Sequence, residues 1–131
     1  MSEHTKVVVE SFAAYLRDGI NALLPYLHDD VVWEDDPEWP DAGVWHGHDD
    51  VRRVFRERLE STSIAPEVEQ IEERGDRVLV LFVWNALGEA SGASVVLRPA
   101  AIYEFRGERV ARLRFFLERD RAREEFESGS A

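Results

Sequence analysis

The chain has 131 residues, no cysteine and a formal net charge of −11, from 27 acidic and 16 basic residues. This length suits a single domain over residues 1–131 with a core over 7–127, and the lack of cysteine excludes disulfides and suits a reducing cytoplasm. The acidic balance disfavours nucleic acid or an anionic membrane as partner, because binding phosphate needs clustered lysine and arginine, and no apolar run reaches the ~20 residues that cross a bilayer.

The first half of the chain is predicted to be mainly helical. A first helix follows from apolar residues at helical spacing, which are Val8, Val9, Phe12, Ala13 and Leu16. Gly19 is suited to end it, and a short second helix is predicted over residues 22–27. A strand over 31–35 follows, and then a third helix over 49–60, whose first turn carries Asp49 and Asp50 where the helix dipole favours anions.

The second half is predicted to be a sheet. Strand patterns cover residues 68–73, 78–84, 95–105 and 110–117, with glycine turns between the members of each pair. Three helices followed by a four-stranded antiparallel meander indicate an α+β fold with the helices on one face of the sheet.

One predicted strand is apolar on both faces. Residues 78–84 (VLVLFVW) do not alternate, and Phe115 and Phe116 are neighbours on the last strand. In a sheet with one solvent-exposed face, apolar and polar residues should alternate along each strand. The outer face is therefore predicted to be buried as well. We expect a homodimer through this face; the alternative is a monomer whose tail covers it.

Four segments in this order carry a family resemblance: residues 31–35 (VVWED), 43–51 (GVWHGHDDV), 102–110 (IYEFRGERV) and 114–120 (RFFLERD). With these elements, the chain resembles the SnoaL-like branch of the nuclear transport factor 2-like superfamily. The resemblance implies a cone-shaped, curved sheet wrapped around a long N-terminal helix, with a pocket at the wide end. Members include polyketide cyclases, ketosteroid isomerases, epoxide hydrolases and noncatalytic binding proteins, so the resemblance implies a pocket and leaves the reaction open.

Ketosteroid isomerases can be compared residue by residue. Their catalytic aspartate falls on Asp35, whereas their oxyanion-hole tyrosine falls on Phe12 and their protonated aspartate falls near Ala101. The resemblance therefore implies a base without its two usual hydrogen-bond donors, which argues against a ketosteroid isomerase of the known kind. Tyr15 and Tyr103 are the alternative donors nearby in sequence.

Asp35 lies in the most unusual stretch of the chain. Residues 28–50 hold nine acidic residues, three of the four tryptophans, three of the four histidines, and no lysine or arginine. A carboxylate at a strand end beside apolar walls can have a raised pKa and act as a base. We predict this role for Asp35; the alternatives are a solvated strand end, or a slip of one residue that puts Asp36 in its place.

His46 and His48 form a His-x-His pair in the same stretch. Imidazole and carboxylate suit zinc, iron or manganese, but no third ligand spacing is defined, so we predict no metal and no other cofactor. His46 is expected at the pocket mouth, where it bonds a ligand or pairs with an acid.

The pocket walls are predicted to be aromatic and apolar. Trp33, Trp39 and Trp45 suit a flat ligand, Trp39 being a candidate lid, while Trp84 is assigned to the outer face. The other predicted wall residues are Phe12, Leu16, Phe55, Leu81, Val83, Asn85, Ala101, Tyr103, Leu113, Phe115 and Leu117.

The sequence thus predicts a small-molecule protein and leaves open whether it is an enzyme. The first hypothesis is a cofactor-independent isomerase, cyclase or hydrolase acting on a small hydrophobic carbonyl compound, polyketide- or steroid-like. Asp35 would be its general base, with His46 or Tyr15 as a hydrogen-bonding partner. The second is a noncatalytic binding protein for a small hydrophobic ligand, and the third is a scaffold whose cone is filled.

Overall fold

The helices lie close to their predicted positions. A computed structural model describes residues 2–39, 42–59, 62–88 and 94–128 of the chain. Within them the helices are α1 (Glu3–Asp18), α2 (Ile20–Leu23), α3 (Gly47–Leu59) and α4 (Arg119–Ser128), and a 3-10 turn (Leu24–Tyr26) follows α2. Gly19 ends α1 with a φ of +86°, a conformation that favours glycine. None of these helices is long and apolar enough to span a membrane.

The strands form one mainly antiparallel sheet. They are β1 (Leu27–Glu34), β2 (Val44–His46), β3 (Thr62–Arg74), β4 (Arg77–Gly88), β5 (Ser94–Leu97), β6 (Ala100–Arg106) and β7 (Arg109–Phe116). Their order is β2-β1-β7-β6-β4-β3, with β5 also paired to β4, and β1 runs parallel to β7. The α+β prediction is confirmed, and the predicted meander forms the larger part of the sheet.

Irregularities along the strands bend the sheet. The β3–β4 register shifts between Val68 and Gln70, and the β6–β7 register shifts between Glu104 and Phe105. Such bulges increase the twist of a strand and curve the sheet. The single predicted strand over 95–105 is divided into β5 and β6 at Pro99, which has no N–H for the ladder and whose carbonyl accepts from the Phe82 amide at 2.9 Å.

The sheet has two buried faces. On the inner face, residues of α1, α2 and α3 such as Val8, Leu23 and Val51 pack with the sheet in the main core cluster. On the outer face, Ala122 and Phe126 of α4 pack over a second cluster, which comprises Leu79, Leu81, Ala100, Ile102 and Phe116. The three predicted helices therefore share the inner face, and the tail forms a fourth helix, α4, which covers part of the other face. This cover accounts for the apolar pattern that suggested a homodimer, which stays a prediction.

Candidate ligand-binding site

An aromatic cavity of about 530 Å³ opens between the inner face of the sheet and helices α1 and α3. All four tryptophans of the chain line it, including Trp84, which the sequence assigned to the outer face. The remaining rings on its wall are Phe12, Tyr15, Phe55, Phe82, Tyr103, Phe115 and Phe116. Such a wall suits a flat, apolar molecule.

The rings contact one another in a continuous band. Trp33 meets Phe55 edge-on, with centroids 5.2 Å apart, and Phe115 at 5.3 Å. Phe115 in turn lies 5.7 Å from Trp84, which meets Trp39 edge-on at 6.0 Å. Offset and edge-on contacts of this kind stabilise aromatic clusters. The band fixes the wall from β1 across the sheet to the segment that carries Trp39.

Asp35 lies on the cavity wall, directly after β1, and its side chain is only 6% exposed. Its Oδ2 accepts hydrogen bonds from the Gly43 amide and the Trp45 indole, both at 3.2 Å, and from Arg58 Nη2 at 2.5 Å. Its Oδ1 accepts from Arg58 Nη1 at 3.2 Å. Asp35 is therefore not a solvated strand end, and it holds Trp45 and Arg58 in place.

Arg58 lies at the site although it was not predicted from the sequence. Its guanidinium forms the bidentate pair with Asp35 and lies over the Trp45 ring, 5.7 Å from the centroid. A signal was present, because Val51, Val54 and Arg58 follow the helical spacing that brings side chains to one face of α3. All three residues line the cavity.

Asp36 lies on the wall as well, so consecutive acids reach the same cavity. Its Oδ1 accepts from the Glu38 amide at 3.0 Å, and its Oδ2 accepts from the Leu117 amide at 2.8 Å. Arg121 Nη1 is 3.8 Å from the same Oδ2. Asp36 thus joins the segment after β1 to the end of β7, and this role is structural.

Two tyrosine hydroxyls on the cavity wall differ from the carboxylates in how they are bonded among the described residues. Tyr103 is buried on the sheet wall and Tyr15 is half-buried on α1, and burial raises the pKa of both phenols. Within the described residues neither hydroxyl makes a hydrogen bond, whereas the buried Ser11 hydroxyl donates to the Val8 carbonyl at 2.9 Å. Both phenols stay protonated at neutral pH and can donate.

His46 does not reach the cavity. Trp45 points inward from β2, so its neighbour His46 points outward and is exposed. Its backbone N–H donates to Asp50 Oδ2 at 3.1 Å, and Nε2 of His48 lies 3.1 Å from the Leu27 carbonyl oxygen. The described residues contain no group of three or more histidines and carboxylates that could hold a metal ion.

On β4, the sequence predicted the wrong set of alternate residues to face the cavity. Phe82 and Trp84 line the cavity, while Leu81 belongs to the outer cluster and Val83 and Asn85 share its parity. The cause is that the strand is apolar on both faces, so its sequence cannot distinguish them. Three further predicted wall residues lie elsewhere: Leu16 is 54% exposed, and Ala101 and Leu113 are buried in the main core.

Ten predicted site residues do lie on the wall. They are Phe12, Tyr15, Trp33, Asp35, Trp39, Trp45, Phe55, Tyr103, Phe115 and Leu117. They come from helices, strands and loops that are far apart in sequence, and the curved sheet brings them together.

Comparison with known proteins gives a family match. A family model described as a SnoaL-like domain matches residues 8–113. None of the curated proteins compared with the chain is detectably similar to it in sequence.

Solved structures share the fold at low identity. An NTF2-like protein of unknown function from Burkholderia pseudomallei is 23% identical, with a TM-score of 0.81 over 99% of this chain and 100% of that one. An NTF2-like protein from Burkholderia xenovorans is 25% identical, with a TM-score of 0.76 over 87% and 88% of the two chains. TerC, co-crystallized with polyporic acid, is 19% identical, with a TM-score of 0.80 over 97% and 100%.

Proposed function

Since this chain belongs to the SnoaL-like domain family, we propose that it binds a small, flat, largely apolar ring compound in the aromatic cavity. The observation that carries this proposal is the presence of all four tryptophans on the wall of one cavity of about 530 Å³. Ligand pockets commonly have volumes of about 300–1,000 Å³ and apolar, aromatic walls. The structure of TerC with polyporic acid adds support from a similar fold.

Tryptophan fluorescence tests the proposal directly, because every tryptophan of the chain lines the cavity. Titration with flat ring compounds such as anthraquinone should quench the emission saturably. Val54→Phe, which adds bulk to a buried wall residue, should weaken binding by about tenfold or more. Val96→Phe on the exposed strand β5 is the matched control and should leave affinity unchanged. Absence of saturable quenching by any ring compound would overturn the proposal.

A second candidate function is catalysis, with Asp35 as general base acting on a carbonyl compound. The observation that favours it is that Asp35 lies on the wall and its Oδ1 accepts a single hydrogen bond, from Arg58 at 3.2 Å. A positioned base contributes about 10²–10⁴-fold to a rate. Binding is placed first because the Asp35 carboxylate is already held in an ion pair with Arg58 and accepts hydrogen bonds on both oxygens.

Two substitutions separate catalysis by Asp35 from a structural role. Asp35→Asn removes the basic carboxylate and the ion pair, whereas Arg58→Met removes the ion pair and keeps the carboxylate. If Asp35 is the base, turnover of a carbonyl substrate should fall about 10²–10⁴-fold in the first variant and much less in the second. Equal losses in both variants would contradict the base role.

The homodimer and the cytoplasmic location belong to this proposal as predictions from the sequence. Val95 and Val96 on β5 are both more than half exposed and offer an apolar surface away from the cavity. Sedimentation should give twice the chain mass of 15.1 kDa, and a mass of one chain at high concentration would contradict the dimer.

A further inference from the structure

The two enclosed carboxylates on the cavity wall, those of Asp35 and Asp36, are already engaged in hydrogen bonds. The Asp35 carboxylate accepts from Gly43, Trp45 and Arg58. The Asp36 carboxylate accepts from the amides of Glu38 and Leu117. A ligand that donated to Asp35 Oδ2 or to the Asp36 carboxylate would compete with these contacts.

The wall also carries hydrogen-bond donors that are not engaged within the described residues, unlike those of Trp45 and Arg58. Within the described residues, no partner is present for the indole N–H groups of Trp33, Trp39 and Trp84 or for the hydroxyls of Tyr15 and Tyr103. Trp33 is 6% exposed and Tyr103 is 7% exposed, so these two are more than nine-tenths buried. Burying a donor without a partner is costly, and such groups in a native structure call for an explanation.

Neither the Trp33 indole N–H nor the Tyr103 hydroxyl is fully enclosed. The fully enclosed side-chain atoms without a hydrogen-bond partner, among the residues described, are Glu104 Oε2, Arg114 Nε and Arg119 Nε, and all three residues lie off the cavity wall. The Trp33 and Tyr103 donors are not among them, although both residues line the cavity. Neither donor atom is thus fully enclosed, and the cavity is the open space that both residues line.

The sheet register places the two donors in one row. Trp33 on β1 pairs with Leu113 on β7, and Leu113 pairs with Tyr103 on β6. Their Cα atoms are therefore two strand spacings, or roughly 10 Å, apart on the same face. An indole N–H can only donate, and the protonated phenol is a good donor. The row thus presents two donors to one flat molecule that lies across the inner face.

We propose that the ligand is a flat ring compound with two or more carbonyl oxygens, and that Trp33 and Tyr103 select it by donating hydrogen bonds to those oxygens. This inference rests on the proposed binding function and specifies its ligand class. A pocket built to donate hydrogen bonds disfavours the analogue that lacks the acceptors, because its buried donors then stay unpaired.

Anthraquinone and anthracene form a matched pair of probes, because they share a three-ring outline and differ by two carbonyl oxygens. Tryptophan fluorescence should show the full-length protein binding anthraquinone about tenfold or more tightly than anthracene. Trp33→Phe and Tyr103→Phe should each weaken anthraquinone binding by about 2- to 10-fold more than anthracene binding. Tyr26→Phe, which removes a hydroxyl away from the wall, is the control and should change neither.

The outcomes separate this inference from the proposed function. Equal affinity of the protein for both probes would overturn the donor selection and leave ring binding intact. If a variant lost affinity for both probes equally, the replaced side chain would act by packing, which would contradict its role as a donor. Retained anthracene binding shows that a variant is folded. If neither probe binds saturably, the proposed function fails and the inference fails with it.

Discussion

The two faces of the sheet are both buried, but they are buried in different ways. On the outer face, Leu79 and Ile102 have no exposed surface and pack in one cluster with Phe126 of α4. On the inner face, aromatic rings such as Trp33 and Trp84 surround a cavity of about 530 Å³. Protein interiors are normally close-packed, so a face that keeps this much space is specialised for something other than stability.

The polar groups of the two faces differ in the same way. Away from the cavity, Arg112 donates to both carboxylate oxygens of Glu34, at 3.0 and 2.9 Å, and Arg114 lies between the carboxylates of Glu104 and Glu125. On the inner face, the donors of Trp33 and Tyr103 have no partner within the described residues. These charges away from the cavity pair with one another, whereas the two inner-face donors leave hydrogen-bonding capacity for a ligand.

The largest predicted difference concerns packing and uses the same substitution on both faces. Leu79→Ala should lower the free energy of unfolding by about 3–5 kcal/mol, because it leaves an enclosed void in the outer cluster. Leu23 lines the cavity, so Leu23→Ala enlarges existing space and should cost only about 2 kcal/mol. Urea unfolding of both variants measures the difference. Equal losses would mean that the inner face is packed as tightly as the outer one.

A second, smaller effect is expected at the ion pair on the cavity wall. Arg58→Met leaves the 6%-exposed Asp35 carboxylate without its charged partner, while the bonds from Gly43 and Trp45 remain. We expect a loss of about 1–3 kcal/mol, below the cost for a fully buried pair because Arg58 is partly exposed. Arg56→Met, on an exposed position of the same helix, is the control.

The Arg58 and Arg56 variants show whether charge pairing holds the cavity wall. A loss well above that of the Arg56 variant would show that charge pairing holds the cavity wall, where packing alone holds the outer cluster. A variant as stable as the control would contradict the role of Asp35 as an anchor for Arg58.

Much of this fold could be predicted from local patterns. Helical spacing and Gly19 indicated α1 and its end, and the position of Asp35 at the end of the first strand placed it on the wall. The inner face of α1 was harder to predict. Val9 and Leu16 are apolar yet exposed, while Ser11 is buried because its hydroxyl donates to the Val8 carbonyl. A satisfied small polar residue can take a core position that an apolarity pattern does not assign to it.

The unpartnered donors could not be predicted from the sequence. Trp33 and Trp45 were both predicted as wall residues. The Trp45 indole donates to Asp35, ten positions away, whereas the Trp33 indole makes no hydrogen bond within the described residues. Which donors stay open depends on elements that meet only in the folded sheet. The strand parity of β4 failed for a related reason, since α4 buries the face that would otherwise be polar.

The smallest predicted effect is a pH dependence of stability, which tests how well the inner face excludes water from Tyr103. Burial raises the pKa of Tyr103, so the folded protein keeps a proton that the unfolded chain loses above about pH 10. Deprotonation then favours the unfolded chain, and stability should fall by roughly 1 kcal/mol from this residue between pH 9 and 11, with no effect below that range. Tyr103→Phe should show a shallower decline, while Tyr26→Phe should follow the unsubstituted protein in urea unfolding at each pH. Parallel curves for all three proteins would place the Tyr103 hydroxyl in open water and remove the contrast between the two faces at this position.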